Sequence, residues 1–158
     1  MEQIDVAVIG GGVVGLAAAR AIALRGHSVC VMEREGRPGM GTSTHNSQVV
    51  HAGMYYPAGS LKARHCVRGA RMLYDYCASR GVPHARCGKL IVAQHEGEVA
   101  DLERLQLKGT ANGVQGLRLV DRAFVAAREP HVRAHAALYS PDTGIVGAEA
   151  LVQALARD

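Results

Sequence analysis

Tryptophan is absent from this chain of 158 residues, phenylalanine occurs once, and aromatic residues make up only 4%. So few rings supply no stacking platforms for single-stranded nucleic acid. Basic runs are missing as well. The net charge is +4 but Lys and Arg are scattered, so the excess reads as solvated surface and no nucleic-acid partner is expected. The four cysteines, Cys30, Cys66, Cys77 and Cys87, contain no C-x-x-C pair. On a common helix Cys66 and Cys77 would share a face but stand about 16 Å apart, beyond disulfide reach. Free thiols and a reducing, cytoplasmic compartment are the expectation. His131 and His135 form an H-x-x-x-H that follows Pro130 and has no third ligand nearby, so no metal site is expected. Long apolar runs are missing too. Glycines break the opening one, and Glu2 and Asp5 stand where a leader would carry basic residues, so neither a signal peptide nor a membrane span is expected. What these absences leave is globular: 48% hydrophobic, 20% charged, and long enough for one ordinary domain with a core.

What is present is concentrated at the start. Ile4-Asp-Val-Ala-Val-Ile runs into Gly10-Gly11-Gly12-Val-Val-Gly15, an alanine-rich helical pattern follows, and Val29-Cys-Val-Met ends in Glu33. This order suits the ADP half of a dinucleotide. Gly10 allows the tight turn, Gly12 admits a pyrophosphate close to the backbone, and Gly15 lets helix and strand approach. The helix N-terminus favours an anion through its free N–H groups and dipole. Glu33, at the tip of the second strand, is placed to accept hydrogen bonds from ribose hydroxyls. An acid there repels a 2′-phosphate, which disfavours NADP.

Further on, periodicity predicts a strand over 3–9, a helix over 13–25, a strand over 28–33 and a Gly/Ser/Thr loop over 34–47. Val49-Val50-His51 reads as extended. Ser60 reads as the N-cap of a helix to Arg80, stopped by Gly81, with Cys66, Val67, Ala70, Leu73, Tyr74 and Cys77 as its apolar stripe. A strand is predicted over 89–93, an amphipathic helix over 96–111, a short strand over 117–120 and a helix capped by Asp121. A strand over 136–140, a turn over 141–144 and a helix from Glu149 complete the pattern. The βαβ repeat is not continued after the first unit. Two strands alone would leave sheet edges uncovered and the chain stops within a helix, so the expectation is the N-terminal portion of a longer protein. The alternative is a complete small α/β domain.

The loop after Glu33 reads Gly39-Met-Gly41-Thr42-Ser43-Thr44-His45-Asn46-Ser47-Gln-Val-Val-His51-Ala-Gly53-Met-Tyr55-Tyr56-Pro57. Its glycines and hydroxyls suit a ligand that continues past the pyrophosphate, as a flavin's ribityl chain and ring do. The blocks His45-Asn46-Ser47-x-Val-Val-His51-Ala-Gly53-x-Tyr55-Tyr56, Gly59-Ser60-Leu-Lys62-Ala and Cys87-Gly88-Lys89-Leu-Ile-Val-Ala resemble the flavin-dependent oxidoreductases of the D-amino-acid-oxidase superfamily. They are most similar to its L-2-hydroxyglutarate dehydrogenase (oxidase) group. Thr110-Ala-Asn-Gly113, Glu129-Pro130 and Gly144-Ile-Val extend the likeness along essentially the whole chain, while members of the group run well beyond this length.

The resemblance implies an α/β fold. A Rossmann-like FAD-binding βαβ would occupy 1–80, part of an inserted sheet-plus-helix substrate domain 81–140, and a return towards the FAD domain 141–158. It implies FAD held by Gly10, Gly12, Val13, Val14 and Gly15 at the pyrophosphate, Glu33 at the ribose and Arg34 over the adenine. Thr42, Ser43, His45, Asn46 and Ser47 would hold the ribityl chain and flavin edge. Oxidising a 2-hydroxy acid moves a hydride from C2 to flavin N5 while a base takes the hydroxyl proton. His51 is the first candidate for that base and His45 the second. Tyr55, Tyr56 and Lys62 are the nearest groups to orient the carboxylates of a 2-hydroxy dicarboxylate. The expected activity is oxidation of L-2-hydroxyglutarate, or a close 2-hydroxy acid, to the 2-oxo acid. The alternatives are an amine- or glycerol-3-phosphate-oxidising relative and an inactive truncated nucleotide-binding fragment. Quinone and oxygen both stay open as electron acceptor, as does peripheral contact with the inner membrane in a full-length form.

Overall fold

In the computed structural model, which describes residues 3–158, the opening motif becomes Val6–Ile9 (β1), Val13–Ala23 (α1) and Val29–Met32 (β2). The two strands pair in parallel from Val6↔Val29 to Ile9↔Met32. Asp5 fixes their common start. Its carboxylate accepts from the Ser28 backbone N–H at 2.8 Å and the Ser28 hydroxyl at 2.9 Å. The rest of the chain runs Val49–Val50 (β3), Leu61–Arg80 (α2), His84–Ala85 (β4), Lys89–Ala93 (β5), Val99–Ala111 (α3), Arg118–Asp121 (β6), Arg122–Arg128 (α4), Ala136–Ser140 (β7), Gly144–Val146 (β8) and Ala148–Arg157 (α5). A single 3-10 turn, Glu96–Glu98, leads into α3. No described helix is long and apolar enough to cross a membrane.

Two units follow from the packing. The first takes in the chain up to Gln48, Tyr76–Pro83 and Val146–Asp158, and the second Val49–Asp75 and His84–Ile145. Residues 49–75, grouped with the nucleotide-binding part by the sequence, lie in the second unit because Ala52, Met54 and Val67 help to complete its core.

In the first unit α1 packs on β1, β2 and α5. It buries Leu16 and Ala19, while α5 buries Ala148, Leu151 and Val152. Strand alternation turns the other side outward, where Ile9 is 87% and Met32 49% exposed. Asp158 gathers the helix ends. It pairs with Arg20 at 2.5 Å and Arg80 at 2.9 Å, and accepts from the Tyr76 hydroxyl at 3.1 Å.

In the second unit β5, β7 and β6 form an antiparallel sheet in that order, and β3, β8 and β4 a smaller one. The register aligns Ile91, Leu138 and Leu119 across the larger sheet, facing α3. It aligns Leu90, Tyr139 and Arg118 on the opposite face. Ala52, Met54, Ala93, Leu102, Val114 and Leu138 are the buried centre.

The predicted caps form. Ser60 Oγ accepts from Ala63 N–H at 3.2 Å, and Asp121 Oδ1 from Phe124 N–H at 2.8 Å. Gly81 ends α2 with φ 65°, the left-handed conformation a helix stop needs. The helix predicted over 13–25 ends at Ala23, because Gly26 N–H bonds back to the Ala23 carbonyl. Two strands were not predicted. β4 and β8 are two and three residues long, too short to show alternation, and exist through pairings such as Val50↔Gly144.

Candidate functional site

The glycine turn is built by backbone. Gly10 adopts φ 104° and its N–H donates to the Met32 carbonyl at 2.8 Å, tying the turn to β2. A Cβ at Gly15 would run into the Gly10 carbonyl oxygen, so only glycine lets α1 start this close to β1. Gly12 caps α1 without a side-chain bond, and the first turn carries no acidic residue. Positive dipole and side-chain-free backbone meet at this tip, the surroundings a diphosphate requires.

Glu33 closes the same corner. Its Oε2 accepts from Gly11 N–H at 2.7 Å and its Oε1 from Glu35 N–H at 2.9 Å. The Glu35 and Gly11 N–H groups hold its carboxyl below the ordinary glutamate value. The group is therefore an anion and pure acceptor at neutral pH, with lone pairs left for hydroxyl donors.

The hydroxyl loop folds back over the helix tip. Gly39 N–H donates to the Gly11 carbonyl at 3.0 Å, and Ser43 Oγ accepts from Val13 N–H at 3.0 Å. A Cβ on Gly12 would lie 3.0 Å from that Ser43 oxygen. Gly10, Gly12, Val13, Gly15, Glu33 and Ser43 are thus brought together. His45 Nδ1 lies 2.9 Å from the Gly41 carbonyl, and Asn46 Nδ2 donates to the Thr42 and Ser43 carbonyls at 3.0 and 2.9 Å. Both side chains brace the loop itself. Val14, Thr42 and Ser47 are exposed. Arg34 is also exposed and pairs with its neighbour Glu35 at 3.0 Å.

Gln48, not singled out by the sequence, ends the loop with φ 58°. Its N–H donates to Asn46 Oδ1 at 2.7 Å, and its carbonyl accepts from Val146 N–H at 3.0 Å. A left-handed turn at a residue with a long side chain is strained and persists because these bonds determine it. Nothing in the local sequence signals it.

The other candidates lie in the second unit. His51 follows β3, is exposed, and its carbonyl accepts a bond from the Cys66 thiol at 3.2 Å. Burial pushes the Cys66 thiol up, which keeps it protonated as a donor. Tyr55 accepts from Lys89 Nζ at 2.9 Å, and the Lys62 ammonium lies 4.7 Å from the centre of the Tyr56 ring. Asn112, at the end of α3, donates to the Gly53 and Tyr56 carbonyls at 3.0 and 2.9 Å and so sets the segment that carries both tyrosines. The sequence placed Asn112 just past the predicted helix over 96–111 and within the Thr110-Ala-Asn-Gly113 block of the likeness, with no contact assigned to it. Its reach of more than fifty residues back along the chain is not a local signal.

The family described as FAD dependent oxidoreductase matches residues 5–158. The mitochondrial L-2-hydroxyglutarate dehydrogenase of Arabidopsis thaliana is 46% identical over 154 residues, covering 98% of this chain and 32% of that protein. The one from Homo sapiens is 44% identical over 159 residues, covering 99% of this chain and 34% of that protein. The chain therefore spans about a third of the length of these curated relatives. Among solved structures, dithionite-reduced L-alpha-glycerophosphate oxidase from Mycoplasma pneumoniae with FAD bound superposes with a TM-score of 0.89 at 28% identity. It covers 99% of this chain and 42% of that one. The glycine cradle, the acid at the end of β2 and the matched length agree: the chain belongs to the FAD dependent oxidoreductase family.

Proposed function

We propose that this chain carries the nucleotide-binding start and part of the substrate region of an oxidoreductase that converts L-2-hydroxyglutarate to its 2-oxo acid. The observation that carries the reading is identity of 38–46% along nearly the whole chain to relatives named L-2-hydroxyglutarate dehydrogenase. The glycine-lined helix tip supports it as a seat for the diphosphate of FAD, with Glu33 receiving the ribose hydroxyls. FAD supplies a hydride acceptor. In this reading the imidazole of His51 takes the C2 hydroxyl proton as the hydride leaves C2, with His45 as second candidate. Tyr55, Tyr56 and Lys62 orient the carboxylates. Thr42, Ser43, Asn46 and Ser47 bear on the ribityl side of the cofactor, and Arg34 on the adenine. A cytoplasmic or inner-membrane-peripheral setting, and quinone or oxygen as acceptor, belong to the same proposal.

Anaerobic mixing of the FAD-loaded protein with L-2-hydroxyglutarate tests it. The expected outcome is bleaching of the flavin absorbance with release of one equivalent of 2-oxoglutarate. Reduction by glycerol 3-phosphate or glycine alone would reject the hydroxyglutarate reading and favour an oxidase like the superposed one.

A further inference from the structure

The larger sheet of the second unit has a concavity of about 510 Å³ that no residue assigned above explains. Its floor comes from the face turned away from α3, where Leu90 lies beside Tyr139 and Val92 follows on the same side of β5. Helix α4 packs on β6 and β7 and sets Phe124 edge-on to Tyr139, ring centres 5.3 Å apart. Arg128, the last residue of α4, lines the concavity, and its guanidinium sits 3.6 Å from the Phe124 ring centre and 5.5 Å from that of Tyr139. Arg118 approaches the same rings from β6 at 5.1 and 5.4 Å.

Two guanidinium groups thus converge on one pair of rings. Among the described residues neither forms an ion pair with a carboxylate. Glu129 lines the concavity as well, and its backbone N–H bonds to the Val125 carbonyl. A guanidinium stacked on an aromatic face is fixed in plane yet keeps the N–H donors of its edge, and that edge matches a carboxylate. Lys89 also lines the concavity, but its ammonium is engaged in donating to the Tyr55 hydroxyl at 2.9 Å. The Tyr139 hydroxyl lies 2.7 Å from where a Cβ on Gly88 would stand, so glycine at 88 is what leaves room for that ring.

We propose that this concavity is a carboxylate subsite. Arg128 is its cation, Tyr139 its hydroxyl donor, and Leu90 and Val92 the floor for the methylene chain of a small aliphatic dicarboxylate. The inference rests on the proposed dicarboxylate substrate and assigns the carboxylate remote from C2 to Arg128.

Titration of the chain with glutarate, which lacks the oxidisable hydroxyl, tests the subsite by calorimetry and amide chemical shifts. Arg128→Met is expected to weaken binding about ten- to a hundred-fold, the range for losing a hydrogen-bonded charge. Arg128→Lys, which keeps a charge over Phe124 and guards against simple loss of fold, is expected to weaken it less. Arg64→Met on the exposed face of α2 is expected to leave it unchanged. The proposal is overturned if glutarate does not bind, if Arg128→Met binds it as the parent does, or if glycerol 3-phosphate binds equally well through Arg128. In the FAD-loaded protein, Arg128→Met is expected to raise KM for L-2-hydroxyglutarate with kcat little changed. An unchanged KM with normal flavin reduction removes the subsite and leaves the proposed reaction standing. Arg128-dependent glutarate binding without flavin reduction removes the reaction and leaves the subsite.

Discussion

A methyl group at Gly15 has nowhere to go, because the Gly10 carbonyl already fills the place its Cβ would take. Gly15→Ala is expected to push α1 off β1 at a cost of about 1–3 kcal/mol, the usual range for overpacking. Urea unfolding would read that loss, and the yellow colour retained after purification with FAD should fall with it. Glu33 acts through charge instead. Two backbone N–H groups hold its carboxyl below the ordinary value of 4.5, so the anion is favoured in the folded chain. Its contribution is complete above that value and is lost as pH falls through the depressed one. Glu33→Gln is therefore expected to lower the urea midpoint at pH 7 and to flatten the loss of stability as pH falls below 4.5. A parent and variant with the same acid profile would refute this. Gly10 and Gly15 were legible because the reasons for them lie within one short motif. Gln48 and Asn112 were not. Their conformations answer to residues far along the chain, Val146 in one case and Gly53 in the other.

The helices were legible almost to the residue because period and cap are both local. Ser60 and Asp121 accept the bonds that helix starts leave open, and the stripe through Ala70, Tyr74 and Cys77 is buried. Strands of two or three residues carry no such code. β8 exists because Gly144 is flanked by β3 on one side and β4 on the other, and a Cβ there would strike the Ala85 carbonyl and the Tyr74 hydroxyl. Where helix meets sheet in the second unit, Leu138 is fully buried against α3 and its neighbours. Leu138→Ala is expected to cost about 2–5 kcal/mol by thermal unfolding. Gly109 in α3 faces Met54, whose Cβ would be 2.9 Å from an added methyl. Gly109→Ala is therefore expected to destabilise, where an exposed helical glycine would gain from the same change.

The two units differ in what protects them. One centres on a three-stranded sheet with Leu138 and Ala137 fully buried in its middle strand. The other has a two-stranded parallel pair whose outer side shows Ile9 and Met32 to solvent. Sheets of two strands are marginal by themselves. Native-state hydrogen exchange is therefore expected to be slower for the amides of β7 than for those of β1 and β2, and FAD should slow the latter selectively. Uniform protection of both, or slowing confined to β7, would contradict this. The division itself could not be read from the sequence, since no linker marks it and both Tyr76–Pro83 and Val146–Asp158 return to the first unit from a distance.

Ser43 already grips the Val13 amide, and that has a consequence for how a nucleotide enters and leaves. On the proposed diphosphate seat, an incoming phosphate oxygen would displace a neutral oxygen rather than settle on a bare donor. Departure is cushioned in the same way, since the serine is at hand to restore the lost bond. Loading should then proceed by exchange, with a rate that levels off at high nucleotide concentration as the peeling back of the 39–47 segment becomes the slow step.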